Sequence, residues 1–514
     1  MKDNFLYPNL TKFTTSIILS CFIILPDSSE AAYFGGKGHF SLRGETRTEP
    51  SFRTETQTYQ AIDRSFSLYT ETKISDSTSL FFNVRLWDKP KESFFGQNST
   101  NSAKCDDKDE TCAFSTDSSY EPFGVTLKKV YMTVGTDYCL LTAGRMGRDW
   151  GLGVLLDSGD DPFEKDGSVF EGIRCDVNKQ KTQNLGFAVG YDKISEGSEY
   201  THGDDLEQYY VSVELDDRGS SKDFGKHIGI YFANITSAEG GENIGSVEYK
   251  IFDLYTALYL GNLNLMAEAV FKTGKSEESR WSVYGSNDEG KHSVDSIAFA
   301  LRGEFTFSRE GSVIGVAPYL TGNAKTHVGF FELMRAPGDP DGYYQGSNEE
   351  IGLSNRDSNA DAFAFHTNYK PAIILFNGRT DSKNMNLDGV FHNERVMNAN
   401  VFSLGYRYRS VENGSFEAKF ISATMIESIP DDVSSYFESG NSKPDDYSLA
   451  AEYPVGYFGS DIGMELDLTY SFKVAKSLNL QIAGAYAIPG LALQVTDDKP
   501  VNNIAIQTSM TVDF

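Results

Sequence analysis

The last twelve residues, NIAIQTSMTVDF, alternate. Ile504, Ile506, Met510, Val512 and Phe514 fall on even positions, with Thr508 the one weak member. Asn503, Ala505, Gln507, Ser509, Thr511 and Asp513 fall on odd ones, all polar or small. Successive side chains of a strand point to opposite faces, so this spacing puts one class on each face. Terminal segments are ordinarily polar and frayed. This one has the pattern of a strand that must be paired.

The same alternation runs through the chain. In DIGMELDLTYSFKV the even positions from Ile462 to Val474 are apolar or aromatic, and the odd ones are polar or Gly. Three residues, AKS, separate it from LNLQIAGAYAI, which alternates in turn. Two such runs across a tight turn make a hairpin. Further runs read as strands over Phe40–Arg47, Ile62–Ile74, Leu80–Asp88, Val130–Val134, Leu140–Met146, Leu185–Tyr191, Tyr209–Leu215 and Ile228–Phe232. Others follow over Ile251–Leu260, Leu263–Lys272, Ile297–Phe307, Val313–Leu320, Phe402–Arg409 and Phe416–Met425, with weaker segments near Val169 and Phe365. About 18 strands are expected, within a range of about 16 to 20.

Strands of soluble sandwiches usually span about five or six residues. Many of these runs reach about ten, the length a tilted strand needs to cross a bilayer. Short turns (GTD, GN, AKS) alternate with long acidic connections such as Lys89–Pro122, Thr273–Asp295 and Met334–Ala362. Short periplasmic turns and long extracellular loops are the pattern of outer-membrane barrels. Tyr131, Tyr138, Tyr191, Phe271 and Tyr486 lie near strand ends, where interfacial aromatics belong. The expected fold is therefore all-β, a single transmembrane antiparallel β-barrel. A barrel has no edges only if its last strand pairs with its first, so the C-terminal segment is the closing strand.

Two further features fix the setting. Residues 1–31 read as a signal peptide: Lys2 and Lys12 precede the short apolar run SIILSCFIILP, and Ser29 and Ala31 supply small residues before Ala32. The barrel then occupies residues 32–514. The formal net charge of −27 argues against a nucleic-acid surface.

If the apolar face meets lipid, the opposite face lines the lumen. That assigns Arg43, Arg85, Arg145, Arg148, Arg302, Arg407, Arg409 and Lys419 to the pore, together with Glu304, Glu465 and Asp467. Glu45, Glu71, Glu214, Glu268 and Glu417 share that face. Rings of charge at a constriction select ions by sign; the same charges, paired, would only keep the lumen wet. In GRMGRDWGLGVLLDSGDD, Gly151 and Gly153 permit a sharp turn after Trp150. The segment is either a loop folded into the pore, with Arg145 and Arg148 facing solute, or a structural turn with Trp150 at the interface.

Other chemistry is sparse. Asp157, Asp160, Asp161, Glu164 and Asp166 do not match a calcium-loop spacing. Cys105 and Cys112 share one acidic loop in an oxidising compartment and are expected to form a disulfide; Cys139 and Cys175 are a second conceivable pair. The seven histidines are scattered, with no nucleophile or base grouped around them, so no enzyme, cofactor or metal is expected.

NVFSLGYRYRSVENGSFEAKF and DIGMELDLTYSFKVAKSLNLQIAGAYAIPG resemble the final strands of alginate-export-type outer-membrane barrels and their porin-like relatives. LTAGRMGRDWGLG resembles a strand and loop of the same family, with Met146 standing where the family has a polar residue. The closing strand with its terminal Phe514 likewise looks like the signal read by the barrel-assembly machinery. The resemblance implies a monomeric barrel of about eighteen strands in the outer-membrane lipid, with an arginine-lined lumen. Its function would be passive passage of small polar or charged solutes, saccharides among them. The alternative is a surface-exposed structural or binding protein with a closed barrel, and behind it an outer-membrane enzyme.

Overall fold

A computed structural model describes residues 33–48, 58–86, 125–161, 164, 167–177, 184–195, 206–217, 224–237, 247–276, 292–310, 325–338, 363–366, 368–376, 396–410, 414–427, 459–494 and 499–514. The signal-peptide assignment, the Cys105–Cys112 pair and the strand expected over Val313–Leu320 lie outside these residues.

Eighteen antiparallel strands form one closed sheet. In chain order they are β1 (Tyr33–Thr48), β2 (Thr58–Ser75), β3 (Thr78–Leu86), β4 (Val125–Gly135), β5 (Leu140–Gly147) and β6 (Val169–Val177). Next come β7 (Leu185–Ser195), β8 (Leu206–Asp216), β9 (Phe224–Ser237), β10 (Val247–Leu260), β11 (Leu263–Ser276) and β12 (His292–Glu310). The last six are β13 (Lys325–Ala336), β14 (Ala399–Ser410), β15 (Gly414–Met425), β16 (Asp461–Ala475), β17 (Leu478–Pro489) and β18 (Asn503–Asp513). Each strand pairs with its neighbours in sequence, and β1 pairs with both β2 and β18. The closing register runs from His39↔Asp513 to Arg47↔Ala505. Beyond it, Gly38 and Phe514 exchange both backbone hydrogen bonds at 2.9 Å. The terminal strand is thus paired to its final residue.

Alternation sets the two faces. On β16, Met464, Leu466, Leu468 and Tyr470 are exposed outward while Glu465 and Asp467 are buried inward. On β10 and β11, Phe252, Leu254 and Phe271 point out while Tyr255, Ala257 and Glu268 point in. An apolar outer surface around a polar-lined interior inverts the arrangement of a soluble barrel and matches a lipid-facing one. One end carries the short turns, at residues 76–77, 261–262 and 476–477 among others, and the other end carries the long connections.

Three elements depart from the sequence reading. Alternation does not reveal β13, because consecutive Phe330 and Phe331 break it; Phe330 packs inside and Phe331 outside. Phe365 belongs to no strand: it lies in residues 363–376, a segment folded into the barrel with Phe363, Phe365, Ile374, Leu375 and Phe376 buried. On β4 the register against β3 shifts between Asn83 and Val84. This bulge turns both Lys128 and Lys129 inward while Leu127 points to lipid.

Tyr138, Tyr191, Phe271 and Tyr486 stand on the outer surface or its rim, as interfacial aromatics should. Tyr131 instead faces the lumen, stacked on Phe81 with centroids 4.9 Å apart. At the short-turn end, Cys139 and Cys175 form a disulfide with Cα atoms 5.6 Å apart, tying the β4–β5 turn to β6.

Candidate functional site

The barrel interior is narrowed by two segments that enter from the long-loop end, the described residues of 148–168 and of 363–376. The first begins at Arg148, whose guanidinium donates twice to Asp192 on β7, at 2.5 and 3.2 Å. Both side chains are almost fully buried, at 3% and 0% exposure. Arg148 also lies 4.5 Å from the centroid of Tyr210, and Trp150 packs on Tyr231 at 5.4 Å. Trp150 is thus an interior anchor rather than an interfacial residue. The inward-loop reading holds, but Arg148 faces Asp192 instead of solute.

The segment then crosses Glu268 of β11. Its carboxylate accepts from the backbone N–H groups of Leu152, of Leu155 at 3.2 Å and of Val154 at 3.5 Å. Gly151 has φ +58°, and a Cβ there would run into the same carboxylate. Glycine is required on both counts. The acidic tip finally docks on a basic wall from β3 and β4. Lys129 pairs with Asp160 at 2.5 Å, Lys128 donates to the Gly159 carbonyl at 2.6 Å, and Arg85 donates to the Glu164 carbonyl at 2.6 Å.

The second segment repeats the device. Glu465 of β16, 1% exposed, accepts from the backbone N–H groups of Ile373, Ile374 and Leu375 at 2.8, 2.7 and 2.6 Å. Arg47 donates to the Ile373 carbonyl at 3.2 Å and pairs with Glu45. Tyr369 donates to Glu332 of β13 at 2.6 Å, and Arg302 of β12 pairs with the same carboxylate at 2.8 Å. Phe376 holds φ +64°, a costly conformation offset here by full burial of its ring. The two segments also bind each other: His366 N–H donates to the Val154 carbonyl at 2.8 Å, and Asn368 Nδ2 donates to Asp157 Oδ1 at 3.0 Å.

Below these segments the lumen is lined by charge. Arg407 donates to Glu417 at 2.5 Å and to Glu304 at 3.3 Å, and its guanidinium lies 4.8 Å from the Phe330 centroid. Lys419 stands 4.0 Å from Asp467. Arg409 is exposed near the short-turn end of β14. Arg43 shares the inner face of β1 with Ser41 and Glu45.

Two loop groups have shifted acidities. Burial, reinforced by the charge of Asp157, raises the Glu164 carboxyl to about 7. Burial followed by the negative charge of Glu332 raises the Tyr369 phenol well above its ordinary value.

Several sequence assignments change. Arg145 does not face the lumen. It pairs in register with Val130 and Glu171, and Glu171 shares the outer face of β6 with Ile173, which is 53% exposed. Met146, 4% exposed, takes the inner position instead. Leu140 and Met146 share a face by alternation, and their apolar character assigns that face to lipid and Arg145 to the lumen; the barrel reverses the two. Glu465 and Arg85 are inward, as read, but they hold loops rather than meet solute. Arg148 belongs to the same group. A freely water-filled interior gives way to one whose long-loop half contains a packed apolar cluster, including Trp150, Val154, Phe365 and Leu375. Lys128, Lys129, Asp192 and Glu332 were missed. Extending the β7 alternation one residue would have turned Asp192 inward; a bulge and an unrecognised strand concealed the others.

No family model and no curated protein sequence matches the chain. Among solved structures it is similar to OccK8 (OprE) of Pseudomonas aeruginosa, with a TM-score of 0.46 and 12% identity over 93% of this chain and 98% of that one. It is similar to OprD of the same organism at 0.43 and 12%, over 93% of each chain. The anion-selective porin from Comamonas acidovorans gives 0.41 and 9%, over 94% of this chain and 100% of that one. These likenesses are of barrel form, and they do not single out the alginate-export type.

Proposed function

We propose that the protein is a passive channel of the outer membrane of a Gram-negative bacterium, passing small polar or charged solutes. The observation that carries this reading is the lumen itself. Its lower half is lined by Arg407, Glu304, Glu417 and Arg409, while two inward segments form a constriction held to the wall by side chains. Charged groups around a narrow aqueous path filter by size and sign, and they exclude apolar solutes by the cost of removing water from the charges. Arg407 is offset by two carboxylates, which supports a mixed rather than purely anionic preference. Saccharides, rich in hydroxyls, suit such a lining of donors and acceptors. Phe514, paired to its last atoms, is the end the assembly machinery would read. The test is single-channel recording in planar bilayers: steady steps are expected, and their absence would overturn the reading.

A second reading has its own observation. The apolar cluster of residues 148–168 and 363–376 buries side chains in the long-loop half as a soluble core does. If it seals the barrel, the protein is a surface structure whose loops meet a partner. Reconstituted protein that inserts fully folded yet carries no current would favour it.

A further inference from the structure

On most of the wall the outward face is free of charge for the whole apolar height. On β2 the outward positions between Ile74 and Arg64 carry no charged side chain, and neither do those on β10 between Leu260 and Lys250. Each run covers ten residues, so the charge that ends it stands roughly 25 Å above the short-turn end. That matches an apolar band about 25 Å tall.

β5 to β8 break this pattern: Arg145, Glu171, Lys193 and Glu207 stand outward in register as a row of alternating charge, lowest at Arg145 and Glu171. Arg145 is the fifth residue past Leu140, and Glu171 lies six residues from Val177 at the short-turn end of β6. At the same rise and tilt they stand only roughly 13–15 Å up, near the middle of the band. Both point outward, 42% and 62% exposed, and pair with each other at 3.2 Å. The wall is also low here: β5 has 8 residues and β6 has 9, against 14 in β10 and β11. Hydrocarbon does not solvate charges at that depth; within the wall Arg145 also donates to the Lys128 carbonyl at 3.2 Å, and Lys193 stands in register beside Glu171.

We infer that this face is covered by a second copy of the same chain, related by a twofold axis that brings Arg145 of each copy against Glu171 of the other. Adjacent opposite charges on one patch are self-complementary under a twofold, where residue i meets j and j meets i. Four alternating charges then share one desolvated cluster instead of facing lipid. Small Ala143, outward between Leu141 and Arg145, lets the two walls approach closely. The inference rests on the barrel spanning a bilayer, but not on its conducting. It departs from the monomer that the family resemblance implied.

The test is photobleaching step counting of singly labelled protein in liposomes at low protein density. Wild type is expected to bleach predominantly in two steps. The double variant Arg145→Leu/Glu171→Leu should bleach in one, because lipid solvates an apolar face as well as a partner does. Its barrel should still form, shown by heat-modifiable migration. Single-step wild type would overturn the proposal, as would a double variant that stays two-step. Bilayer conductance of either form reports separately on the channel reading, so the two can fail independently.

Discussion

Glu268 and Glu465 are the residues on which the constriction depends. Each spends a buried carboxylate on consecutive backbone N–H groups of a segment with little regular structure of its own. Irregular backbone inside a barrel needs such partners, because its donors find no ladder. Replacing Glu465 with Ala should orphan up to three N–H groups at about 1–3 kcal/mol each, loosening residues 363–376. The strand ladder does not involve that carboxylate, so the barrel should remain folded while single-channel conductance rises; an unchanged conductance would mean that the segment stays in place without its tether. Glu164 gives a pH prediction. Its folded value of about 7 exceeds the ordinary value near 4.5, so the folded form binds its proton more tightly. Its stabilising contribution is complete below about 4.5 and is lost as pH rises through about 7. Melting temperature across that window should fall more for wild type than for Glu164→Gln, and identical slopes would remove this carboxyl from the account.

At the scale of elements, most of the wall was legible from alternation, because a lipid-facing strand must be apolar at every second position. β16, β17 and β18 came out nearly whole for that reason. What escaped were places where a local rule gives way: the bulge that turns Lys128 inward, the paired phenylalanines of β13, and the inversion that puts Met146 inside and Arg145 outside. The inward segments left a trace only in Gly151 and Gly153, and residues 363–376 left none, since their order comes from Glu465 and Glu332 far along the chain. Two predictions belong here. Removing Ser509–Phe514 should prevent assembly, because it strips the register from His39↔Asp513 to Arg43↔Ser509 and leaves an open edge in lipid; a heat-modifiable, protease-resistant truncated barrel would contradict the closure. Leu468→Arg, on the exposed outer face of β16, should cost about 2–4 kcal/mol if it lies near the midplane. Thr469→Arg, on the inner face next to it, should fold near normally and change conductance. Denaturant unfolding from liposomes compares them, and equal losses would reverse the face assignment. Asp467 is unsuited to that comparison, being buried beside Glu465 and Lys419.

The whole molecule joins a rigid closed wall to an interior that is partly a core. The wall needs no help from the loops, since every strand is paired on both sides. The loops need the wall, through Asp192, Glu268, Glu332, Glu465, Lys128 and Lys129. That asymmetry lets the passage be altered without unfolding the barrel. The direct measurement is single-channel conductance in planar bilayers for wild type and for Glu268→Ala/Glu465→Ala, with heat-modifiable migration confirming that both are folded. The account predicts small, steady steps for wild type and clearly larger ones for the double variant. Folded barrels that give the same conductance in both forms, or none in either, would contradict it.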